Sequence, residues 1–155
     1  MARPAGAATT AFILAVASAG VGQTLAGDNP FATLDAYHQP WFTLPPWGWV
    51  AVGIAYYAAL ATVLFRLLRS LPPTRNAVGL VVAVMVANEA WNLLIFGLRA
   101  PWMAFLGLVA FALLLGTAIR SVRLHDRIAS RVLVLYLIWV VAYDVPWALA
   151  LAVLN

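Results

Sequence analysis

The sequence predicts an all-α integral membrane protein, folded over residues 1–155 as one bundle of five transmembrane helices. Hydrophobic residues make up 65% of the 155-residue chain and charged residues only 9%, whereas soluble domains carry roughly 25% charged residues. The mean hydropathy is +0.95. The apolar residues form five runs, each close to the length of about 20 residues that a helix needs to cross a bilayer. A short chain this apolar cannot cover itself with polar surface, so we expect lipid to be its solvent.

Each apolar run is expected to be a helix, because lipid offers no partners to backbone polar groups. The five predicted helices cover residues 10–25, 47–68, 76–98, 102–122 and 130–154. Pro72-Pro73 and Pro101 separate neighbouring helices, since proline removes a hydrogen-bond donor and restricts the residue before it. The one long connection, residues 26–46, contains four prolines and several aromatic residues. We interpret it as an ordered lid rather than a disordered loop.

Arginine placement predicts the orientation of the bundle. Arg3 precedes the first helix, and seven arginines lie between helices two and three or between helices four and five: Arg66, Arg69, Arg75, Arg120, Arg123, Arg127 and Arg131. These eight fall on one side of the membrane, and only Arg99 falls on the other. The positive-inside rule therefore predicts a cytoplasmic N-terminus, with the C-terminus and loop 26–46 outside, in a bacterial cell membrane. This clustering at helix ends argues against a nucleic-acid partner despite the net charge of +4.

Tryptophan is distributed on one side of the predicted bundle. Six of the seven tryptophans lie in its outer half or in the long loop: Trp41, Trp47, Trp49, Trp91, Trp102 and Trp147. An aromatic belt at the lipid headgroups is one interpretation, but a belt populates both interfaces. The distribution favours an aromatic-lined pocket that opens outward under the loop. Five residues are expected to supply its stacking surface: Phe42, Trp47, Trp91, Trp139 and Trp147.

Two carboxylic acids, Glu89 and Asp144, lie inside predicted helices three and five. Each is about 14 residues from the cytoplasmic helix end, so at about 1.5 Å rise per residue both lie near a depth of about 20 Å. An ionisable side chain at that depth costs several kcal/mol unless it faces a cavity or a partner. We therefore interpret both as functional candidates. They could share a proton, bind a ligand, act as a catalytic acid–base pair, or bond to nearby protein groups.

Amides and small residues add two weaker signals on helix three. Asn88 and Asn92 lie one turn apart beside Trp91, and such amides either contact a ligand or bond between helices. A second face of the same helix has small residues every four positions, at Gly79, Ala83 and Ala87. This spacing lets another helix approach closely, either within the bundle or in a homodimer. Cysteine is absent, and no metal-ligand cluster or nucleotide motif predicts a metal or cofactor site.

Several segments together resemble the TspO/MBR family, the tryptophan-rich sensory proteins and mitochondrial translocator proteins. Helix three reads Asn88-Glu-Ala-Trp91-Asn-Leu-Leu-Ile-Phe96-Gly97-Leu-Arg99, which resembles the family's Asn-x-x-Trp…Phe-Phe-Gly-x-Arg/Lys. Tyr136-Leu-Ile-Trp139 is similar to its Pro-Tyr-Leu-x-Trp. The stretch Pro40-Trp41-Phe42…Pro45-Pro46-Trp47 resembles its Lys-Pro-x-Trp…Pro-Pro-x-Trp. The resemblance covers nearly the whole chain.

The resemblance implies a five-helix bundle that binds porphyrins such as protoporphyrin IX and haem, and in some members sterols. Porphyrin or haem is implied as a ligand, and no cofactor is expected to be required. Roles implied for such proteins are sensing as a receptor, transport, or turnover of porphyrin, and members are often dimers. Two alternatives are a membrane enzyme that uses Glu89 and Asp144 as an acid–base pair on a lipid-soluble substrate, and a structural subunit of a membrane complex.

Some positions depart from the family pattern. The tryptophan that the family has in the middle of helix two falls at Gly53 or Ile54. On helix five, Tyr143 and Trp147 stand where the family has a small residue and an asparagine. Both changes add bulk where the family's ligand lies, and Asp144 adds polarity. We therefore add three residues to the five aromatic residues of the expected ligand-binding set: Asn88, Asn92 and Tyr143.

Overall fold

A computed structural model describes residues 4–27, 29–70 and 75–155, with the backbone alone described for Pro4 and Ala5. Arg3, Asp28 and the Pro72-Pro73 break lie outside the described residues. In the described part of the chain, five helices are long and apolar enough to cross a membrane. The predicted five-helix bundle is thereby confirmed, and the helices are numbered below as first to fifth span.

The described chain has seven α-helices and two π-helical segments, and six of the α-helices form the five spans together with the π-helical segments. The first span is α1, Pro4–Ala26, and a short helix α2, Pro30–Asp35, lies in the connection after it. The second span is α3, Pro46–Arg69. The third is α4, Arg75–Asn92, which continues into the π-helical segment Leu93–Gly97. The fourth is α5, Pro101–Arg123. The fifth joins α6, Arg127–Trp139, the π-helical segment Val140–Asp144 and α7, Val145–Leu154.

Proline sets the first residue of several helices. Pro46 and Pro101 begin the second and fourth spans, because a proline in the first turn needs no N–H donor and has a helical φ. These two spans therefore each begin one residue before their predicted start. The first span begins at Pro4 rather than at residue 10, because the small residues before Thr10 continue the helix.

The spans form a ring around an aliphatic core. The first span packs against the second and third, the fifth against the second and fourth, and the fourth also against the third. One end of the bundle, called here the arginine end, has seven of the described arginines: Arg66, Arg69, Arg75, Arg120, Arg123, Arg127 and Arg131. The core is tightly packed toward this end, where Leu64, Val81 and Val122 are fully buried. The opposite end, called the lid end, lies beneath residues 29–45.

The small-residue face of the third span is partly open. Gly79 is exposed, and a Cβ atom added there would meet nothing within 4 Å. Ala83 and Ala87 are half-buried. The bundle itself therefore does not fill this face, and the predicted homodimer stays a prediction.

An ion pair joins the second and fifth spans at the arginine end. Arg66 donates from Nε to Asp126 Oδ2 at 2.8 Å and from Nη2 to Oδ1 at 3.2 Å. The same carboxylate caps α6, accepting hydrogen bonds from the backbone N–H groups of Ile128 at 2.8 Å and Ala129 at 2.9 Å. An N-cap of this kind satisfies helix donors that have no partner inside the helix.

Asp126→Asn is expected to lower stability in a pH-dependent way. Burial raises the pKa of Asp126, but hydrogen bonds from Ala129, Arg66 and Ile128 together outweigh it, so the pKa lies below its ordinary 3.8. A lowered folded-state pKa stabilises the fold above the unfolded-state pKa, and that contribution is lost as the pH falls through the folded-state pKa. Asparagine keeps an oxygen for the cap, so we expect a loss of only about 0.5–1 kcal/mol near neutral pH, because solvent screens the pair.

Thermal unfolding of the detergent-solubilised protein across a pH series would measure this difference. The gap between the wild type and Asp126→Asn should shrink once the pH is below 3.8. Asp35→Asn, which alters an exposed acid of α2, is the matched control and should stay close to the wild type. A gap that does not change with pH would contradict the role of the Asp126 charge.

Candidate ligand-binding cavity

A cavity of about 370 Å³ lies at the lid end, between the first, second, third and fifth spans and α2, and Leu108 of the fourth span also lines it. Eight aromatic residues line it: Phe31, Trp49, Tyr56, Tyr57, Trp91, Phe96, Tyr136 and Trp147. Its polar lining consists of Gln23, Asn88, Asn92 and Asp144. The exposed members of the lining include Gln23, Val50 and Ile54, so the cavity reaches the surface between the first two spans.

Hydrogen bonds fasten the connection 29–45 across this end of the bundle. The Trp147 indole N–H donates to Thr43 Oγ1 at 3.0 Å. The Tyr143 hydroxyl accepts from Leu44 N at 2.9 Å and donates to the Phe42 carbonyl at 3.2 Å. The fifth span thus holds the connection through the side chains of Tyr143 and Trp147.

The third span and the chain end also hold this connection. The Tyr37 hydroxyl donates to the carbonyl of Ile95 at 3.1 Å, within the π-helical segment. The Asn155 side chain accepts from His38 N at 2.9 Å and donates to the His38 carbonyl at 3.2 Å. The connection is therefore bonded at several points along its length.

Trp147 is the centre of an aromatic cluster on the cavity wall. It is 1% exposed, and its ring centroid lies 4.9 Å from that of Trp49 and 6.4 Å from that of Trp91. Both pairs have edge-to-face geometry, which aromatic rings prefer over face-to-face overlap. The Trp91 indole N–H donates to the Ala104 carbonyl at 3.1 Å, which fixes that ring against the fourth span. The three indoles thus form one rigid wall.

Glu89 is enclosed by donors from three spans. Its Oε1 atom accepts from the hydroxyls of Ser18 at 2.6 Å and Tyr57 at 3.0 Å, and its Oε2 atom accepts from Asn92 Nδ2 at 2.9 Å. The side chain is 5% exposed. Gly22 makes room for it, because a Cβ atom added there would overlap Oε2. The protein itself therefore satisfies this acid, which joins the first three spans.

Asp144 is arranged differently. It lines the cavity, and within the described part of the chain its carboxyl group makes no hydrogen bond and no ion pair. The indole N–H of Trp139 lies close enough to stabilise the charge of this carboxyl group, but it lacks the geometry of a full hydrogen bond. Asp144 closes the π-helical segment Val140–Asp144, and such segments are frequent at functional sites. This carboxyl group is free to accept a partner from the cavity.

The two acids form no pair with each other. Their carboxyl groups share no hydrogen bond among the described residues, and Glu89 is not among the described residues that line the cavity. A molecule inside the cavity would therefore reach Asp144 without reaching Glu89. Glu89 and Asp144 therefore do not belong to one site, although the sequence predicts a similar membrane depth for both.

The structure brings together half of the eight residues predicted to bind a ligand. Four line the cavity: Asn88, Trp91, Asn92 and Trp147. Tyr143 and Phe42 lie beside it in the contact that holds the lid, and Trp139 stacks on Tyr143 with centroids 4.7 Å apart. Trp47 is 75% exposed on the surface. Among the described residues, these last four do not line the cavity.

Sequence reasoning expected the site between helices one, two, three and five, but it did not name the residues that the first two spans contribute to its lining. Trp49, Gly53 and Tyr56 of the second span line the cavity. Their spacing of four and then three residues places them on one helix face. Ala19, Gly22 and Ala26 of the first span, spaced three and then four residues apart, likewise share one helix face. The helical period was therefore the signal that could have identified these lining residues.

Comparison with known proteins agrees with this architecture. The sequence model of the TspO/MBR family matches residues 9–145, which is nearly the whole chain. Among curated proteins, none matches the sequence significantly. The family match covers every described cavity-lining residue except Trp147 of α7. The chain therefore belongs to the TspO/MBR family.

Proposed function

We propose that this protein is a TspO-type membrane receptor or carrier that binds a flat, hydrophobic ligand in the lid-end cavity. The observation that carries the proposal is the wall formed by Trp49, Trp91 and Trp147. Indole faces suit a flat conjugated ring, and the volume of about 370 Å³ is within the usual range for small-molecule sites. A tetrapyrrole such as protoporphyrin IX or haem, or a sterol-like molecule, is the first candidate for sensing, transport or turnover.

We further propose that the ligand reaches the cavity from the bilayer. Gly53 lines the cavity, and a Cβ atom added there would meet nothing within 4 Å. Val50 and Ile54 beside it are exposed and apolar, so the gap between the first two spans would face lipid. The arginine distribution supports an outward-facing lid and a cytoplasmic N-terminus. A homodimer through Gly79, Ala83 and Ala87 remains the expected assembly.

Binding is better supported than acid–base catalysis by Glu89 and Asp144. A catalytic acid and base must both lie within hydrogen-bond reach of the substrate. Glu89 is surrounded by Ser18, Tyr57 and Asn92 instead. The enclosed carboxyl group favours a structural role for Glu89.

Trp91→Phe and Trp147→Phe are each expected to raise the Kd for protoporphyrin IX about three- to tenfold. The smaller ring loses stacking area, and aromatic pairs contribute about 0.5–1.5 kcal/mol beyond area burial. In Trp147→Phe the hydrogen bond to Thr43 is lost as well. Titration of the purified protein with protoporphyrin IX, haem and cholesterol, followed by tryptophan fluorescence and porphyrin absorbance, would measure the effect.

Trp102→Phe is the matched control for this titration. Trp102 is 53% exposed and is not among the described residues that line the cavity, so its replacement should leave the Kd unchanged. If all three variants keep the Kd of the wild type, the ligand binds at another site. If none of the three probes binds saturably, the proposed function is wrong.

A further inference from the structure

The charge of the cavity lining suggests a chemical class for the ligand. Asp144 is the only acidic residue among the described lining residues, and no arginine or histidine joins it there. An isolated carboxylate away from water is costly unless a cation or several donors accompany it. Glu89 shows how this chain satisfies such a group, with three donors within 3.0 Å. Asp144 has no comparable set.

Unpaired buried donors of the second and fifth spans do not satisfy Asp144. The Trp139 Nε1, Trp49 Nε1 and Tyr56 hydroxyl atoms are all buried and have no hydrogen-bond partner among the described residues. None of them bonds to Asp144. The carboxyl oxygens of Asp144 make no hydrogen bond, and they are not among these buried atoms. They are therefore accessible from the cavity. A molecule in the cavity can therefore supply a partner for Asp144.

Local backbone geometry turns this acid toward the cavity. The π-helical segment Val140–Asp144 inserts one extra residue into the fifth span. In an α-helix each residue advances the direction of the side chains by about 100°, so the insertion changes which residues after Trp139 face inward. Asp144, which ends the insertion, lines the cavity together with Tyr136 before it and Trp147 after it.

Aromatic rings surround the same space. Trp49, Trp91, Trp147 and Tyr136 line the cavity that Asp144 enters. The faces of indole and phenol rings attract a cation within about 6 Å of the ring centroid. A carboxylate set among such rings is suited to an ammonium group, which the carboxylate neutralises and the rings contact on its remaining sides.

We propose that the cavity selects amphiphilic organic cations, which place an amine or similar cationic nitrogen against Asp144 and an aromatic or alicyclic body along the tryptophan wall. This inference rests on the proposed ligand-binding function and specifies the polar group that the site recognises. It also restricts how an acidic tetrapyrrole binds: its carboxylates cannot lie beside Asp144, because like charges repel. They must point toward the opening near Gln23.

A matched pair of probes tests the inference. Naphthylethylamine and naphthylethanol have similar size and ring system, and they differ in the charge of one terminal group. Binding would be followed by tryptophan fluorescence in nanodiscs of zwitterionic lipid, which does not concentrate the amine by charge. We expect the wild type to bind the amine about tenfold or more tightly than the alcohol, since hydrogen bonds between charged groups are the stronger ones.

Asp144→Asn should remove this preference while leaving the affinity for the alcohol nearly unchanged. Asp35→Asn, which alters an exposed acid outside the cavity, should retain the preference in full. The comparison of the two probes on the wild type requires no variant, so it remains decisive even if Asp144→Asn does not fold.

The outcomes separate this inference from the proposed function. Equal affinity of the wild type for the amine and the alcohol would overturn cation selection and leave hydrophobic ligand binding intact. A preference that persists in Asp144→Asn would also overturn it, because the cation would then be recognised elsewhere. Failure of both probes and of protoporphyrin IX to bind saturably would overturn the proposed function itself.

Discussion

Glu89→Ala is expected to lower the free energy of unfolding by about 3 kcal/mol, because removing the acid leaves several buried groups without partners. Ser18, Tyr57 and Asn92 all donate to this carboxyl group. Hydrogen bonds between membrane helices contribute only about 0.6 kcal/mol each on average. The larger effect comes from three donors unsatisfied at once and from the hole that truncation leaves.

Glu89→Gln is the matched variant for this prediction. Glutamine keeps the volume and one acceptor oxygen for Ser18 and Tyr57, but its NH₂ group would face the donating Nδ2 atom of Asn92. We expect a loss of about 1 kcal/mol, close to that of a single hydrogen bond. Both variants would be measured by reversible unfolding in mixed micelles. Equal stability of Glu89→Ala and the wild type would show that the network does not hold the first three spans together.

Apolar run length predicted the helices well, because a membrane leaves a chain few alternatives to the helix. It could not distinguish the roles of the two acids. Glu89 and Asp144 lie at similar depth in the sequence, yet one faces Ser18, Tyr57 and Asn92 and the other faces the cavity. Which side of a helix faces a neighbour depends on tertiary packing, and the short-range pattern of these apolar spans does not encode it.

The π-helical segments are a second reason why the site could not be read fully from the sequence. Each inserts a residue into an otherwise regular span, at Leu93–Gly97 and Val140–Asp144. Beyond the insertion, the helical period no longer predicts which residues share a face. Sequence spacing placed Trp139 and Trp147 in one site, whereas only Trp147 lines the cavity among the described residues.

The contacts of the lid are a third feature that the sequence could not predict. Its aromatic residues suggested an ordered segment, but the hydrogen bonds that fasten it join residues 58 to 117 positions apart, such as Thr43 with Trp147. Tyr143 and Trp147 were interpreted as bulk added to a ligand site. Their polar atoms instead bond to the loop, at Phe42, Leu44 and Thr43, and no local pattern reveals such partners.

Gly22→Ala is expected to lower the free energy of unfolding by about 2 kcal/mol, since overpacking of a tight contact typically costs about 1–3 kcal/mol. The added Cβ atom would overlap Glu89 Oε2 and lie 3.1 Å from Asn92 Nδ2. The carboxyl group would have to move away, and its hydrogen bonds would be strained. Gly20→Ala is the matched control, because a Cβ atom at Gly20 meets nothing within 4 Å. Alanine favours the helix by up to about 1 kcal/mol, so that variant should be neutral or more stable.

A double-mutant cycle distinguishes this contact from a general effect on the first span. Once Glu89 is replaced by alanine, the atom that the Gly22 Cβ would overlap is gone. Gly22→Ala should then cost little, and the two substitutions should couple by about 1–2 kcal/mol, as residues in direct contact do. Strictly additive losses would mean that Gly22→Ala acts through another neighbour of the first span. The close approach of Gly22 to Glu89 would then not be what joins the first span to the third.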